Sequence, residues 1–282
     1  GETVRSIAEI YGVSEERIIN DNELINPNEL VPGQAIVIVY PQTTYTVQQG
    51  DTLQSIANMH NVSVMQLLRN NPSLANRQYI YPGEEIVISY NTGKSIITFG
   101  FCYPYIEESI LRKSLPNLTY LSVFNYRALE NGDVVSFYED DQIIALSKAY
   151  GTIPLLMIST LSTSGEADYE LLYRLLLNED YLDNHISQLI NIAKAKGYFG
   201  INFIFSFLSR DTQNFYFNLV EKAAERLKNE GLSIHVTINP NITNKNGEVV
   251  FEEIDYEEIS RYADTATFLQ LVWSLNYGPP KP

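Results

Sequence analysis

The chain has 282 residues, 34 acidic against 19 basic, and a formal charge of −15. With 45% hydrophobic and 19% charged residues it has the composition of a globular protein of about two domains, which excludes wholesale disorder. The acidic balance argues against nucleic acid, whose binding draws on counterion release by Lys and Arg, and against docking on an anionic membrane surface. No apolar run reaches the ~18 residues of a membrane span. The one cysteine, Cys102, lies between Phe101 and Tyr103 and reads as a small buried hydrophobe; alone it provides neither an internal disulfide nor a cysteine zinc site.

An internal repeat opens the chain. Gly1-Glu2-Thr3-Val4, Ser6-Ile7-Ala8 and Tyr11-Gly12-Val13-Ser14 recur as Gly50-Asp51-Thr52-Leu53, Ser55-Ile56-Ala57 and His60-Asn61-Val62-Ser63, an offset of 49 from Gly1 to Gly50. Each copy runs through an Asn (Asn22, Asn71) to Val31-Pro32-Gly33 or Tyr81-Pro82-Gly83 and closes on an alternating strand, 35–38 or 85–88. Thr3 and Thr52 stand where helix N-caps belong, ahead of apolar residues spaced by three and four. Ser14 opens a second helix with Glu15 and Glu16 in its first turn. Pro-Gly before an alternating run marks a turn into a strand. The unit is strand, helix, helix, strand. The second copy has an entry strand at 45–47; the first has none, so the sequence reads as cut short at its N-terminus.

These residues resemble the LysM module, with modules over 1–41 and 44–90. The resemblance implies binding of N-acetylglucosamine-containing glycans, peptidoglycan or chitin. The sugar would lie between the loop before the first helix and the loop before the last strand. Those loops are Gly1, Glu2, Thr3 with Val31, Pro32, Gly33, and Gly50, Asp51, Thr52 with Tyr81, Pro82, Gly83. Each residue also has a local backbone reason for being there, as cap or turn.

From residue 95 the pattern becomes apolar strands alternating with amphipathic helices. Strands are expected over 96–103, 118–126, 153–159, 201–208, 232–239 and 266–273, with helices such as 181–196 and 214–229 between them. This alternation predicts a parallel sheet with helices outside. Six such units over 96–282 are too few for an eight-stranded barrel, which takes about 200 residues at least. The expectation is an α/β fold, a partial TIM-type barrel over 95–282 lacking two strands. Its two uncovered edges would favour self-association.

The order of pieces resembles glycoside hydrolase family 18, in its branch of LysM-bearing spore and cell-wall glucosaminidases. It is carried by 121–126 with Asn131-Gly132-Asp133, by 154–159 and 196–202, and by Trp273 before Tyr277-Gly278-Pro279-Pro280. That family places Asp-Gly-x-x-x-Asp-x-Glu on its fourth strand. Aligned here are Phe199, Gly200, Ile204 and Ser206, so the three acids are replaced. Downstream, the family's Tyr and its neighbouring acid become Leu271 and Val272. Tyr126 and Trp273 are the aromatic candidates for the barrel groove. A family member needs an acid to protonate the leaving oxygen while the substrate's acetamido group attacks the anomeric carbon, and neither serine nor isoleucine supplies one.

Among other carboxylates, Asp211 is the nearest to the motif, although helix capping explains it too. Glu139, Asp140 and Asp141 read as first-turn helix acids. His60, His185 and His235 fall in separate segments, which indicates no metal site, and nothing in the sequence implies a cofactor. Three functions are weighed. The first is a glycan-binding protein of the bacterial wall or spore envelope whose barrel is a pseudoenzyme. The second is an N-acetylglucosaminidase using a displaced acid such as Asp211. The third is a coat-assembly protein whose barrel mouth, made apolar by Phe199, Ile204, Leu271 and Val272, docks an envelope protein.

Overall fold

The computed structural model describes residues 1–75, 77, 79–91, 94–159, 169–208, 210–240, 242–245, 248–251 and 254–269. Contacts divide the chain into two units: Gly1–Thr98 with Glu107–Leu118, and Phe99–Ile106 with Thr119–Pro282.

The first unit holds the repeats. Copy one is α1 (Val4–Tyr11) and α2 (Glu15–Asp21). Copy two is β1 (Pro41–Thr46), α3 (Leu53–Met59), α4 (Val64–Asn70) and β2 (Glu85–Tyr90). Both first helices start in a reciprocal capping box: Ser6 N donates to Thr3 Oγ1 at 3.1 Å and Thr3 N to Ser6 Oγ at 2.8 Å, with Thr52 and Ser55 repeating the pair. Val4, Ile7 and Ala8, on one face of α1, form the small core of copy one with Ile18 of α2. At each Pro-Gly turn the glycine has a positive φ, 86° at Gly33 and 92° at Gly83, which any side chain would strain.

The strand expected over 35–38 is absent. β2 pairs antiparallel with β1, whereas among the described residues no strand pairs with 35–38. A side chain supplies ladder bonds there instead. Asn22 Nδ2 donates to Val37 O at 2.9 Å and Asn22 Oδ1 accepts from Val37 N at 2.7 Å. Asn71 clasps Val87 in the same way, both bonds at 2.8 Å. The asparagine common to both repeats is thus a two-bond amide clamp on the final segment.

The second unit is an α/β half-barrel; α5 (Glu108–Ser114), which follows its first strand in the chain, falls within the first unit. The strands of the half-barrel are β3 (Phe99–Cys102), β4 (Tyr120–Ala128), β5 (Val134–Ser136), β6 (Ile153–Ser159), β7 (Gly200–Leu208) and β8 (Ser233–Pro240). Helices α6 (Asp141–Ala149), α7 (Tyr169–Leu177), α8 (Glu179–Lys196) and α9 (Gln213–Asn229) lie between them. A hairpin, β9 (Ile242–Lys245) with β10 (Glu248–Phe251), then α10 (Tyr256–Tyr262), lead to β11 (Thr265–Phe268). The sheet order is β11-β8-β7-β6-β4-β3, every neighbour parallel, with β5 antiparallel against the end of β4. Six parallel strands stand where six were expected.

The sheet curls. Phe99 on β3 and His235 on β8 have ring centroids 5.8 Å apart, although four strand spacings of a flat sheet would separate them by about 19 Å. Inside the curl, buried Asn202 on β7 donates to Ser122 Oγ on β4 at 2.7 Å and to Thr237 Oγ1 on β8 at 2.9 Å. Outside, Val123, Leu156, Ile158, Phe203, Phe205 and Val236 are buried beneath the helices, with Phe205 against Tyr216 of α9. Alternating faces along each strand explain this division.

Candidate functional site

In the modules, the loops that the repeat pattern singled out do come together. In copy one, Gly1 and Glu2 face Leu30, Val31, Pro32 and Gly33 across a cavity of about 370 Å³. In copy two, Gly83 N donates to Val47 O at 2.9 Å, which sets the 48–52 loop beside the 81–83 turn. Asp51 is spent on the fold: its carboxylate accepts from Gln48 N at 2.7 Å and from Tyr45 OH at 2.9 Å, and this bond raises the Tyr45 pKa. Thr3 and Thr52 are caps. Tyr81 stands exposed with the Arg77 guanidinium 5.4 Å from its ring centroid. A cleft of about 460 Å³ between the two modules, lined by Arg17, Asp21, Asn71 and Glu85 among others, carries no signature in the repeat and was not anticipated.

In a curled parallel sheet the carboxyl ends of the strands form the working face. A β-bulge on β4 governs what stands there. Phe124 is level with Met157 of β6, and the next level pair is Tyr126 with Ile158, so Asn125 is the extra residue. Beyond the bulge the alternation is inverted: Tyr126 turns to the helix side and Arg127, level with Ser159, turns to the inner side. Tyr126 is therefore not a groove residue. It is buried, and its hydroxyl donates to Asp140 Oδ2 at 2.6 Å.

Asp140, expected as a first-turn acid, is fully buried and makes no cap bond. Its Oδ2 also accepts from Tyr198 OH at 2.6 Å and Asn125 Nδ2 at 2.9 Å, and its Oδ1 from Lys196 Nζ at 2.7 Å. Burial pushes its pKa up, but the bonds from Lys196, Tyr126, Tyr198 and Asn125 outweigh it and hold the carboxyl below its usual range. The same environment raises the Tyr126 and Tyr198 hydroxyls, burial first and the Asp140 charge with it. Asn125 passes this order on. Its Oδ1 accepts from Phe137 N at 3.2 Å and Tyr138 N at 2.9 Å, and its Nδ2 donates to Tyr138 O at 2.7 Å. Two exposed aromatic residues are thus held by a buried side chain. Tyr138 meets Tyr105 edge-on at 5.8 Å, Tyr105 stacks on Tyr103 at 5.3 Å, and Tyr103 meets Phe124. Sequence reasoning missed this row, because the bulge that aims it has no composition signal.

The motif positions separate. Ile204 is on the inner face of β7, two residues beyond Asn202, and Ser206 lies in the same strand toward its carboxyl end. Phe199 precedes the strand at its other end, about 16 Å from Ile204 at the usual rise, and is exposed beside Lys148. Phe199 therefore does not make the mouth apolar. Leu271, Val272 and Trp273 lie outside the described residues. Asp211 sits exposed three residues past β7, on the mouth side. It does not cap α9: the N-cap residue is Thr212, which makes no side-chain cap bond to the helix. His185 is buried against Gly132 O at 3.1 Å and its pKa is lowered by burial to about 4. Cys102 is buried, and burial with the Asp140 charge pushes its thiol up to about 12.

The LysM domain family matches residues 1–39 and 45–89. Over 286 aligned residues, 99% of this chain, the protein is 26% identical to the cortical fragment-lytic enzyme of Bacillus anthracis and covers 66% of it. The crystal structure of the Bacillus cereus spore cortex-lytic enzyme SleL matches all of this chain and 66% of its own, with a TM-score of 0.69 at 26% identity. A class V chitinase of Pseudomonas fluorescens Pf-5 matches 62% of this chain and 54% of its own at 18% identity and a TM-score of 0.54, a likeness of fold alone. The chain resembles LysM-bearing spore cortex-lytic glycosylases, with a chitinase-like barrel fold. It spans 56–66% of the length of the first curated relatives it matches.

These comparisons overturn the expectation of a pseudoenzyme. Relatives that match along the whole of this chain are named as lytic enzymes, in Bacillus anthracis and Bacillus cereus alike, which points to an enzyme. The expectation rested on the three aligned positions, Phe199, Ile204 and Ser206; the enzyme with a displaced acid such as Asp211 was its alternative. A general acid has to occupy a place, and a strand end plus its loop offers more than one.

Proposed function

We propose that this chain is the LysM-bearing part of a glycosylase of the bacterial spore cell wall, cleaving peptidoglycan at N-acetylglucosamine. The observation that carries the proposal is the match of both halves, in the same order and over 99–100% of the chain, to cortex-lytic enzymes. Two modules on one chain hold a repeating polymer by avidity, each binding event raising the effective concentration for the next. The cut glycan then lies across the carboxyl ends of the strands. There the substrate's acetamido oxygen attacks the anomeric carbon as the glycosidic bond breaks, and an acid passes its proton to the leaving oxygen. Asp211 is the acid we assign. It is on the loop that follows the motif strand, it is exposed, and α9 does not use it as a cap.

The test is release of reducing ends from purified cortex peptidoglycan by the full chain, with products identified by mass. Product is expected, and Asp211→Asn should lower the rate by about 10²–10⁴, the worth of a general acid. No product above the no-protein rate would remove the proposal, and an unchanged rate in the variant would remove Asp211 from it.

A further inference from the structure

Of the ten arginine side chains in the sequence, that of Arg127 alone has neither a hydrogen bond nor an ion pair among the described residues. Its Nε is buried and unpartnered. The ring of Phe137 lies 5.6 Å from the guanidinium carbon. In a protein of charge −15 an unclaimed, partly buried guanidinium is an unusual arrangement, since desolvating a cation without an anion is unfavourable. The bulge sets this side chain on the inner side of the sheet, level with Ser159. Ile204 is one strand further on, about 10 Å from Arg127 by strand spacing. Phe137, which the guanidinium meets, directly precedes Tyr138, and Tyr138 continues through Tyr105 to Tyr103 as a ring row with 56%, 65% and 53% of their surfaces exposed. Asn125 fixes the segment bearing Phe137 and Tyr138. A rigid aromatic face suits the apolar face of a pyranose, and a free guanidinium beside it suits a carboxylate.

We infer that the half-barrel mouth holds a subsite for an acid-bearing sugar, its ring on Tyr105 and Tyr138 and its carboxylate on Arg127. The ligand is an N-acetylmuramic acid unit with a free lactyl carboxylate. This deepens the proposed function and rests on it, because it takes the glycan to cross this mouth. It also separates peptidoglycan from chitin: a neutral N-acetylglucosamine polymer offers Arg127 no anion, and the acidic surface disfavours an anionic sugar unless a cation receives it.

The experiment uses the full chain with isotope-labelled tyrosine rings. The signals of Tyr105 and Tyr138 are assigned with Tyr105→Phe and Tyr138→Phe. Two probes are titrated: the N-acetylglucosamine–N-acetylmuramic acid disaccharide, and neutral chitobiose. The acidic disaccharide should shift both rings and bind there about tenfold more tightly than chitobiose, as a charge-assisted bond allows. Arg127→Met should erase that preference and leave chitobiose unchanged, and Arg127→Lys should restore part of it. In the unmodified protein, added salt should weaken only the acidic probe, a readout that stands if a variant fails to fold. Equal binding of the acidic probe by Arg127→Met, shifts confined to module residues such as Tyr81, or no salt effect would overturn the subsite. Loss of the proposed function would register separately, as absent cleavage products with the ring shifts intact.

Discussion

Replacing Asp140 with asparagine is the most informative change to the half-barrel. Three donors, from Asn125, Tyr126 and Tyr198, converge on Oδ2, and Lys196 meets Oδ1. An asparagine can keep its oxygen toward the three donors only by turning its amide toward the Lys196 ammonium. Lys196 then falls back on Asp141, 3.0 Å away, so that loss is partly made good. The three retained bonds change from charge-assisted to neutral, each weaker by about 0.5–1 kcal/mol, and the bond to Lys196 costs about 1.5–2 more. The total is about 3–5 kcal/mol, a large part of an ordinary domain's stability. Urea unfolding followed by circular dichroism should show that loss, while Asp141→Asn, on the exposed neighbour, stays within about 0.5 kcal/mol of the parent. The pH dependence has a definite sign. A carboxyl held below 3.8 when folded contributes stability that is complete above 3.8 and is lost as pH falls through the lowered value. An Asp140→Asn variant within 1 kcal/mol of the parent would refute the account of Asp140 as the organising acceptor.

Three further outcomes are expected. Asn71→Ala should destabilise its module by about 2–3 kcal/mol by orphaning Val87 N and O, and Asn22→Ala should raise hydrogen exchange at Val37 more than Asn71→Ala does at Val87, because β1 also supports the second copy. His185 and His235 are held neutral when folded, burial lowering each from 6.5 to about 4, so the unfolded chain binds more protons in that window; stability should fall from pH 6.5 to about 4, by on the order of 3 kcal/mol for each, and an unchanged urea midpoint over that range would contradict it.

Much of this fold was legible because its signals are local. Capping boxes, Pro-Gly turns and 3.6-residue spacing name the module helices, and six apolar runs name the six parallel strands. What escaped depends on partners far along the chain. The run 35–38 alternates as well as 85–88 does, but alternation describes a face, and a strand also needs a neighbour. Asp140 looks like any helix-start acid until Tyr198 and Lys196 arrive from more than 50 residues away. Tyr126 stood as a groove aromatic through the resemblance, and the extra residue at Asn125, which nothing local announces, sets it on the helix side. Arg127 drew no notice, since an arginine signals through the partner it lacks, and that needs coordinates.

The bulge at Asn125 works as a phase boundary within one strand. Before it, inward residues answer to the packed interior: Ser122 must fit Asn202, and Phe124 must fit Tyr103. After it, the inward position belongs to Arg127, partly buried beside the exposed ring of Phe137. Selection on ligand preference can therefore rewrite the end of β4 without renegotiating the core, since the side chains that bear the load on the helix side, Tyr126 among them, are assigned to the opposite phase. A single inserted or deleted residue at 124–126 would exchange the two roles together, burying a cation among the helices and turning the Asp140 partner into the mouth. The strand can vary freely in letter there and hardly at all in length.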